Sequence, residues 1–130
     1  MNQENGNWMP GGSDMEQRIA EHDEMNRYIK SQLSGRDVLE ALAEEAAELS
    51  QAALKMIRAC RLGGTNNVTP VTPEEATDNL LEEMADVELV MDVLSYYTGC
   101  GKPIGDLKYK KRERWVSRLK ELEEKRKAGK

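Results

Sequence analysis

Residues 38–60, VLEALAEEAAELSQAALKMIRAC, decide how the rest of the chain is read. Apolar side chains recur there in steps of three and four, along Leu39, Leu42, Ala46, Leu49, Ala53, Met56 and Cys60. A strand would alternate in steps of two, so this spacing predicts an amphipathic helix with a heptad-like seam. The residue types agree, because Ala, Leu, Glu, Met, Lys and Arg are good helix formers. Gly35 before the stretch and Gly63–Gly64 after it bound the predicted helix to about 36–62. A second line runs through Val38, Leu42, Glu45, Leu49, Ala52 and Met56, and Glu45 is its only charge.

The same rhythm returns at 79–97, NLLEEMADVELVMDVLSYY, along Leu80, Met84, Val87, Met91 and Leu94. Its start is marked by Thr72-Pro73-Glu74-Glu75, where Pro suits the first helical turn and Thr72 with Glu75 has capping-box spacing. The intervening TNNVTPV, 65–71, reads as a loop. Here too one line, Leu80, Glu83, Val87, Val90 and Leu94, is apolar except for a single glutamate. Upstream, Ser13 with Glu16 suggests a capped helix over 13–33 with a thin stripe of Met15, Ile19, Met25, Ile29 and Leu33. Downstream, past Gly99–Gly101, Ile104, Leu107, Trp115, Leu119 and Leu122 give 103–127 a weak apolar face. The Asn- and Gly-rich residues 1–12 are expected to be disordered, leaving 13–128 as one helical domain.

The predicted fold class is therefore all-α, a bundle of three to four main helices per chain, with the second and third packed antiparallel. Those two helices carry apolar residues on more than one line, so oligomerisation, at least to a homodimer, is expected to complete the bundle. Composition excludes the main alternatives. With no Phe and 5% aromatic residues, the 130-residue chain lacks the residue types of a β-sandwich. No apolar run approaches the ~18 residues of a membrane span. The first dozen residues show no export signal, so a cytoplasmic setting without a membrane partner is expected. The 2 cysteines, Cys60 and Cys100, have no metal-type spacing, and a lone His22 cannot build a histidine site.

Charge is divided unevenly. Residues 102–130 carry 12 basic and 5 acidic side chains, a net of +7, within a chain whose net charge is −5. The acids concentrate as Glu44-Glu45-Ala46-Ala47-Glu48 and Glu82-Glu83-Met84-Ala85-Asp86. Residues three or four apart share a helix face, so Glu45 points with Glu48 and Glu83 with Asp86. Glu40, Glu44 and Glu48 form a like-charge ladder, as do Asp78, Glu82 and Asp86, and no Lys or Arg four residues on relieves the four paired acids. A carboxylate inside an apolar stripe protonates, pairs with a cation or binds a metal. Hard oxygen ligands without neighbouring His or Cys favour Mg²⁺ or Mn²⁺ over zinc. The plain alternative is a pair of solvated acidic faces docked on the basic last helix.

Both acidic motifs in order, EExxE as Glu44, Glu45 and Glu48 and ExxD as Glu83 and Asp86, each on an amphipathic helix with a basic helix following, resemble the MazG-like all-α nucleoside triphosphate pyrophosphohydrolase superfamily. That superfamily includes dimeric dUTPases and dCTP pyrophosphatases, and the resemblance spans about residues 36–118. It implies Mg²⁺-dependent cleavage of a nucleoside triphosphate between its α- and β-phosphates, giving a monophosphate and pyrophosphate, by a homodimer or homotetramer. Carried over by motif position, it implies Glu45, Glu48, Glu83 and Asp86 as metal ligands and Glu44 as a supporting acid or an extra ligand; an uncoordinated Glu44 beside the metal is also the candidate catalytic proton acceptor. Lys110 and Arg114 fit the spacing of its phosphate-binding cations, and Lys108 stands where relatives often have Asn. Trp115 and Trp8 are candidates to stack on a base. Phosphoribosyl-ATP pyrophosphohydrolase shares the acidic pattern and is an alternative. A non-catalytic helical interaction module is the alternative from another class. Nucleic acid is not an expected partner at this net charge.

Overall fold

The computed structural model describes residues 12–129. The expectations for the preceding segment, including stacking by Trp8, lie outside these residues. Four α-helices follow one another: α1 (Gly12–Gln32), α2 (Gly35–Ala59), α3 (Pro73–Thr98) and α4 (Gly101–Ala128), with a short 3-10 turn at Leu62–Gly64. No strand occurs among the described residues, and none of these helices is long and apolar enough to cross a membrane.

Local signals set the helix boundaries. At α3 the Thr72 hydroxyl accepts from the Glu75 N–H at 3.1 Å, and the Thr72 N–H donates to the Glu75 carboxylate at 3.2 Å, which is the predicted capping box. The start of α2 corrects the sequence reading. Gly35 does not end the preceding helix but opens the next one, under a second capping box. There the Ser34 N–H donates to Asp37 at 2.7 Å and the Asp37 N–H donates to the Ser34 hydroxyl at 3.2 Å. The Ser34 N–H first, and then the Ser34 hydroxyl, which donates to the same carboxylate at 2.8 Å, hold the Asp37 carboxyl below its ordinary range. α1 begins at Gly12, one residue before the start read from the sequence.

The second helix also stops earlier than Gly63–Gly64 suggested. Cys60 caps it, and Arg61 takes a left-handed conformation at φ 52° that a helix cannot continue through. α3 ends as expected at Gly99, whose φ of 66° lets its N–H reach back to the Ser95 carbonyl at 2.7 Å. α4 starts at Gly101, with Pro103 in its first turn, where a missing N–H costs little.

α2 and α3 pack antiparallel and form the centre of the chain. The Thr77 hydroxyl meets the Met56 sulfur at 3.5 Å near the connecting loop, and Glu45 meets Glu83 further along, so rising numbers on one helix face falling numbers on the other. The buried residues are Val38 and Ala52 on α2 and Ala76 and Val93 on α3. The two alanines allow close approach of the backbones. Of the two apolar lines on α2, the inward one contains Glu45; Leu39, Ala46 and Ala53 on the other are exposed. On α3, Leu80, Glu83, Val87, Val90 and Leu94 are half-buried, whereas Met84 and Met91 are exposed. α1 touches only α3, where the Tyr97 hydroxyl reaches the Ile29 and Leu33 carbonyls at 3.1 and 2.9 Å. α4 also touches only α3, and every described residue in it except Ile104 is exposed.

Candidate metal centre

The α2–α3 seam brings two glutamates face to face. Three and a half residues per turn would place Glu45 and Glu83 among the apolar side chains of their helices, and the antiparallel register sets them at the same level. One carboxylate oxygen from each of Glu45, Glu83 and Asp86 lies within 4.8 Å of the others. Glu45 and Glu83 are half-buried, and Asp86 is exposed at the rim. The Oε2 atoms of Glu45 and Glu83 are shielded from solvent and have no hydrogen-bond partner.

The electrostatics follow from that placement. Burial pushes the Glu45 carboxyl above its ordinary value, and Asp86, Glu48 and Glu83 push it further in the same direction. Glu83 is raised by burial first, then by Glu48, Asp86 and Glu82. The exposed Glu48 is therefore part of the cluster electrostatically, although the tightest group of three oxygens does not include it.

Among the described residues no ion pair relieves these acids. The ion pairs among the described residues, Arg27–Asp23, Lys102–Asp106 and Lys127–Glu123, each lie within one helix, four residues apart, on exposed side chains. Two solvent-shielded oxygens without a donor, converging with a third carboxylate, are what a bound cation would satisfy. The all-oxygen donor set suits Mg²⁺ or Mn²⁺, which take carboxylates together with water and phosphate oxygens.

The other predicted site residues lie elsewhere. Glu44 is exposed on α2, one position off the seam. Lys110, Arg114 and Trp115 are exposed on α4, which approaches neither α2 nor α1, so the chain does not itself bring them to the acids. Cys60 and Cys100 are free thiols. His22 is exposed and lines a groove of about 310 Å³ between α1 and α3, with Met25, Asn26, Ile29, Leu89 and Asp92. Leu89 lies one turn beyond Asp86 along α3. Only the Met25–Ile29 spacing hinted at this groove in the sequence.

No family model, no curated protein and no solved structure matches this chain.

Proposed function

We propose that the chain is a Mg²⁺-dependent nucleoside triphosphate pyrophosphohydrolase of the MazG-like kind, working as a homo-oligomer. The observation that carries this reading is the pair of shielded, unpartnered oxygens on Glu45 and Glu83, converging with Asp86 inside an otherwise apolar seam. Evolution of a helix pair for stability alone would place leucines there, since unpaired buried carboxylates oppose folding.

In this reading Glu45, Glu83 and Asp86 hold the ion, with Glu48 beside them at the rim. The ion, when bound, neutralises phosphate oxygens and lowers the pKa of a coordinated water. Glu44, outside the seam and solvated, is the candidate to accept a proton from an attacking water. Lys110 and Arg114 are the candidates, from the family resemblance, to stabilise charge on the departing pyrophosphate.

The test is pyrophosphate release from a panel of canonical and modified nucleoside triphosphates, with phosphoribosyl-ATP included, in Mg²⁺ and in EDTA. Release from at least one substrate in Mg²⁺ alone is expected. Glu83→Gln and Asp86→Asn should each lower it by more than the ~100-fold that loss of a ligand's supporting partner costs. No release from any nucleotide would overturn the reading.

A second reading, a non-catalytic interaction module, draws on a specific observation: Ile19, Tyr28, Trp115 and Leu119 are 64, 68, 68 and 55% exposed on the two outer helices. It requires no metal, so Mg²⁺ binding that is abolished by Glu83→Gln would count against it.

A further inference from the structure

The net charge of the whole chain argues against a polyanionic partner, but it averages two unlike parts. Residues 102–130 carry +7 within a chain of −5, so the remainder carries −12. The positive part is α4, which touches only α3. No ion pair among the described residues involves Lys108, Lys111 or Arg112. At physiological salt a charge is felt over about 8 Å, so the local balance on α4, not the total, decides what these cations attract.

Arg112 lines two shallow concavities. Lys108, Lys111 and Trp115 share the first with it, about 220 Å³ in volume. Tyr109, Glu113, Val116 and Ser117 share the second, of about 350 Å³. Arg112 thus stands between two aromatic residues, three positions from each, and the two are about 9 Å apart along the helix axis. Both rings are open to solvent, Trp115 at 68% and Tyr109 at 63%, although Trp is highly buried on average in folded proteins. By helical spacing Lys110 and Arg114 lie on the opposite side of α4, where they remain the candidates for the phosphates of a substrate.

The order of side chains around the helix selects the occupant. A helix that lies on a membrane keeps its charges apart from its apolar face, and one that fills a protein groove buries an unbroken apolar stripe. On α4, Lys108 falls between Trp115 and Leu119 around the axis, and Arg112 between Leu119 and Val116. Burying this face in an apolar surrounding would bury two cations with it. Interleaved cations and rings match instead a polymer that alternates phosphates with flat bases. A duplex hides its base faces within the stack, so two exposed rings select a single strand. The Glu113 carboxylate beside Tyr109 repels a phosphate unless it accepts from a nearby donor. The ribose 2′-hydroxyl is such a donor, and deoxyribose lacks it.

We propose that the Tyr109–Arg112–Trp115 face of α4 binds single-stranded RNA, with bases stacked on the two rings and phosphates held by Lys108, Lys111 and Arg112. This goes beyond the hydrolase reading and does not rest on it.

Fluorescence anisotropy of a labelled oligouridine tests the proposal, with the full-length chain in EDTA between about 50 and 200 mM salt. Binding is expected, and the logarithm of its constant should fall against that of salt with a slope of about −2, as three neutralised phosphates of a single strand give. Replacing Lys111 and Arg112 together by alanine should bring the slope to about −0.7. Trp115→Ala should weaken binding at least about fivefold with the slope unchanged, because stacking releases no counterions, and Trp115→Phe should restore most of the loss. Lys120→Ala, which removes a cation off this face, should do neither. Oligodeoxyuridine should bind more weakly, and Glu113→Ala should narrow that difference. All these side chains are exposed, so helix content by circular dichroism should stay constant. Absence of binding at the lowest salt would overturn the proposal. So would affinity indifferent to Trp115→Ala, which is what attraction of any polyanion gives. A deoxy strand bound as tightly as RNA would overturn the choice of RNA, and phosphatidylglycerol vesicles bound in preference to RNA would make the face a membrane surface instead.

Discussion

α2 and α3 bury Val38, Ala52, Ala76 and Val93 against one another, whereas α4, a helix of similar length, has Ile104 as its single half-buried described residue. Both regions are rich in good helix formers, so propensity does not distinguish them. The difference lies in what each apolar stripe finds. The stripes of α2 and α3 meet, and in meeting they enclose two glutamates that oppose folding. Among the described residues the stripe of α4 meets only α3, at Ile104, and its cations remain in solvent. Stability and candidate chemistry are thus concentrated in one helix pair, while the charge that would balance that chemistry sits on a separate element.

The sharpest way to break this contrast is to enlarge the small residues of the seam. Ala52 and Ala76 are 1 and 2% exposed, so a leucine at either position must push the helices apart. Such overpacking costs about 1–3 kcal/mol. The same change at Ala47, exposed on the far side of α2, should fall within about 0.5 kcal/mol. Urea unfolding of Ala52→Leu and Ala47→Leu measures both. Equal costs would mean that the α2–α3 seam is not the core.

Much of this seam was legible beforehand, for local reasons. The three-four spacing fixed the helices, and Thr72-Pro73-Glu74-Glu75 fixed the start of α3, because a capping box depends on residues three apart. The Ser34–Asp37 box was missed because Gly35 looks like a helix stop, and Asp at the third position is a less familiar partner than Glu. Spacing also offered two inward lines on α2. The line through Leu39, Ala46 and Ala53 has no charge, yet the line through Glu45 faces in, because the positions of Ala52 and Ala76 determine where two backbones can approach. Glu45 and Glu83 could be singled out as charges in apolar company; that Lys110 and Arg114 do not reach them could not. That depends on the direction α4 takes after Gly99 and Cys100, which no helical periodicity encodes.

The enclosed acids sharpen the comparison through pH and metal. With the carboxyls of Glu45 and Glu83 raised, the folded chain holds protons more tightly than the unfolded one. In EDTA, stability should therefore fall as pH rises from the ordinary carboxylate range through the raised values. Asp37 has the opposite sign, because its lowered carboxyl stabilises the fold above the ordinary range and loses that effect only as pH falls through the lowered value. The two trends occupy different windows, and the fall toward neutral pH belongs to the cluster. Mg²⁺ competes with protons for the same oxygens, so it should flatten that fall. At ten times its dissociation constant, an ion that binds only the folded state adds about 1.4 kcal/mol, or roughly 5 °C of melting temperature. Thermal melts in EDTA and Mg²⁺ across this range check it, with Glu83→Gln expected to lose most of the Mg²⁺ response. An Mg²⁺ shift that persists in Glu83→Gln would place the ion elsewhere.

The smallest effect concerns α1, which belongs with α4 as an outer helix but is tied down at one end. The Leu33 carbonyl lies just past the helix terminus, where no intrahelical donor reaches it, and the Tyr97 hydroxyl stands 2.9 Å away. The same hydroxyl is 3.1 Å from the Ile29 carbonyl, and Lys30 Nζ sits 5.8 Å from the centres of the Tyr96 and Tyr97 rings. Tyr97→Phe keeps the ring and its contact with Lys30 and removes only the hydroxyl. A hydrogen bond of this kind contributes about 0.5–1.5 kcal/mol, so global unfolding should shift by about 1 kcal/mol at most. The informative reading is local. If α1 is an outer element held by this tether, amide exchange should accelerate along the last turns of α1 while α2 and α3 keep their protection. If protection instead falls equally in all three helices, α1 unfolds together with the central pair, and the boundary between a closed core and open outer helices must be drawn at α4 alone.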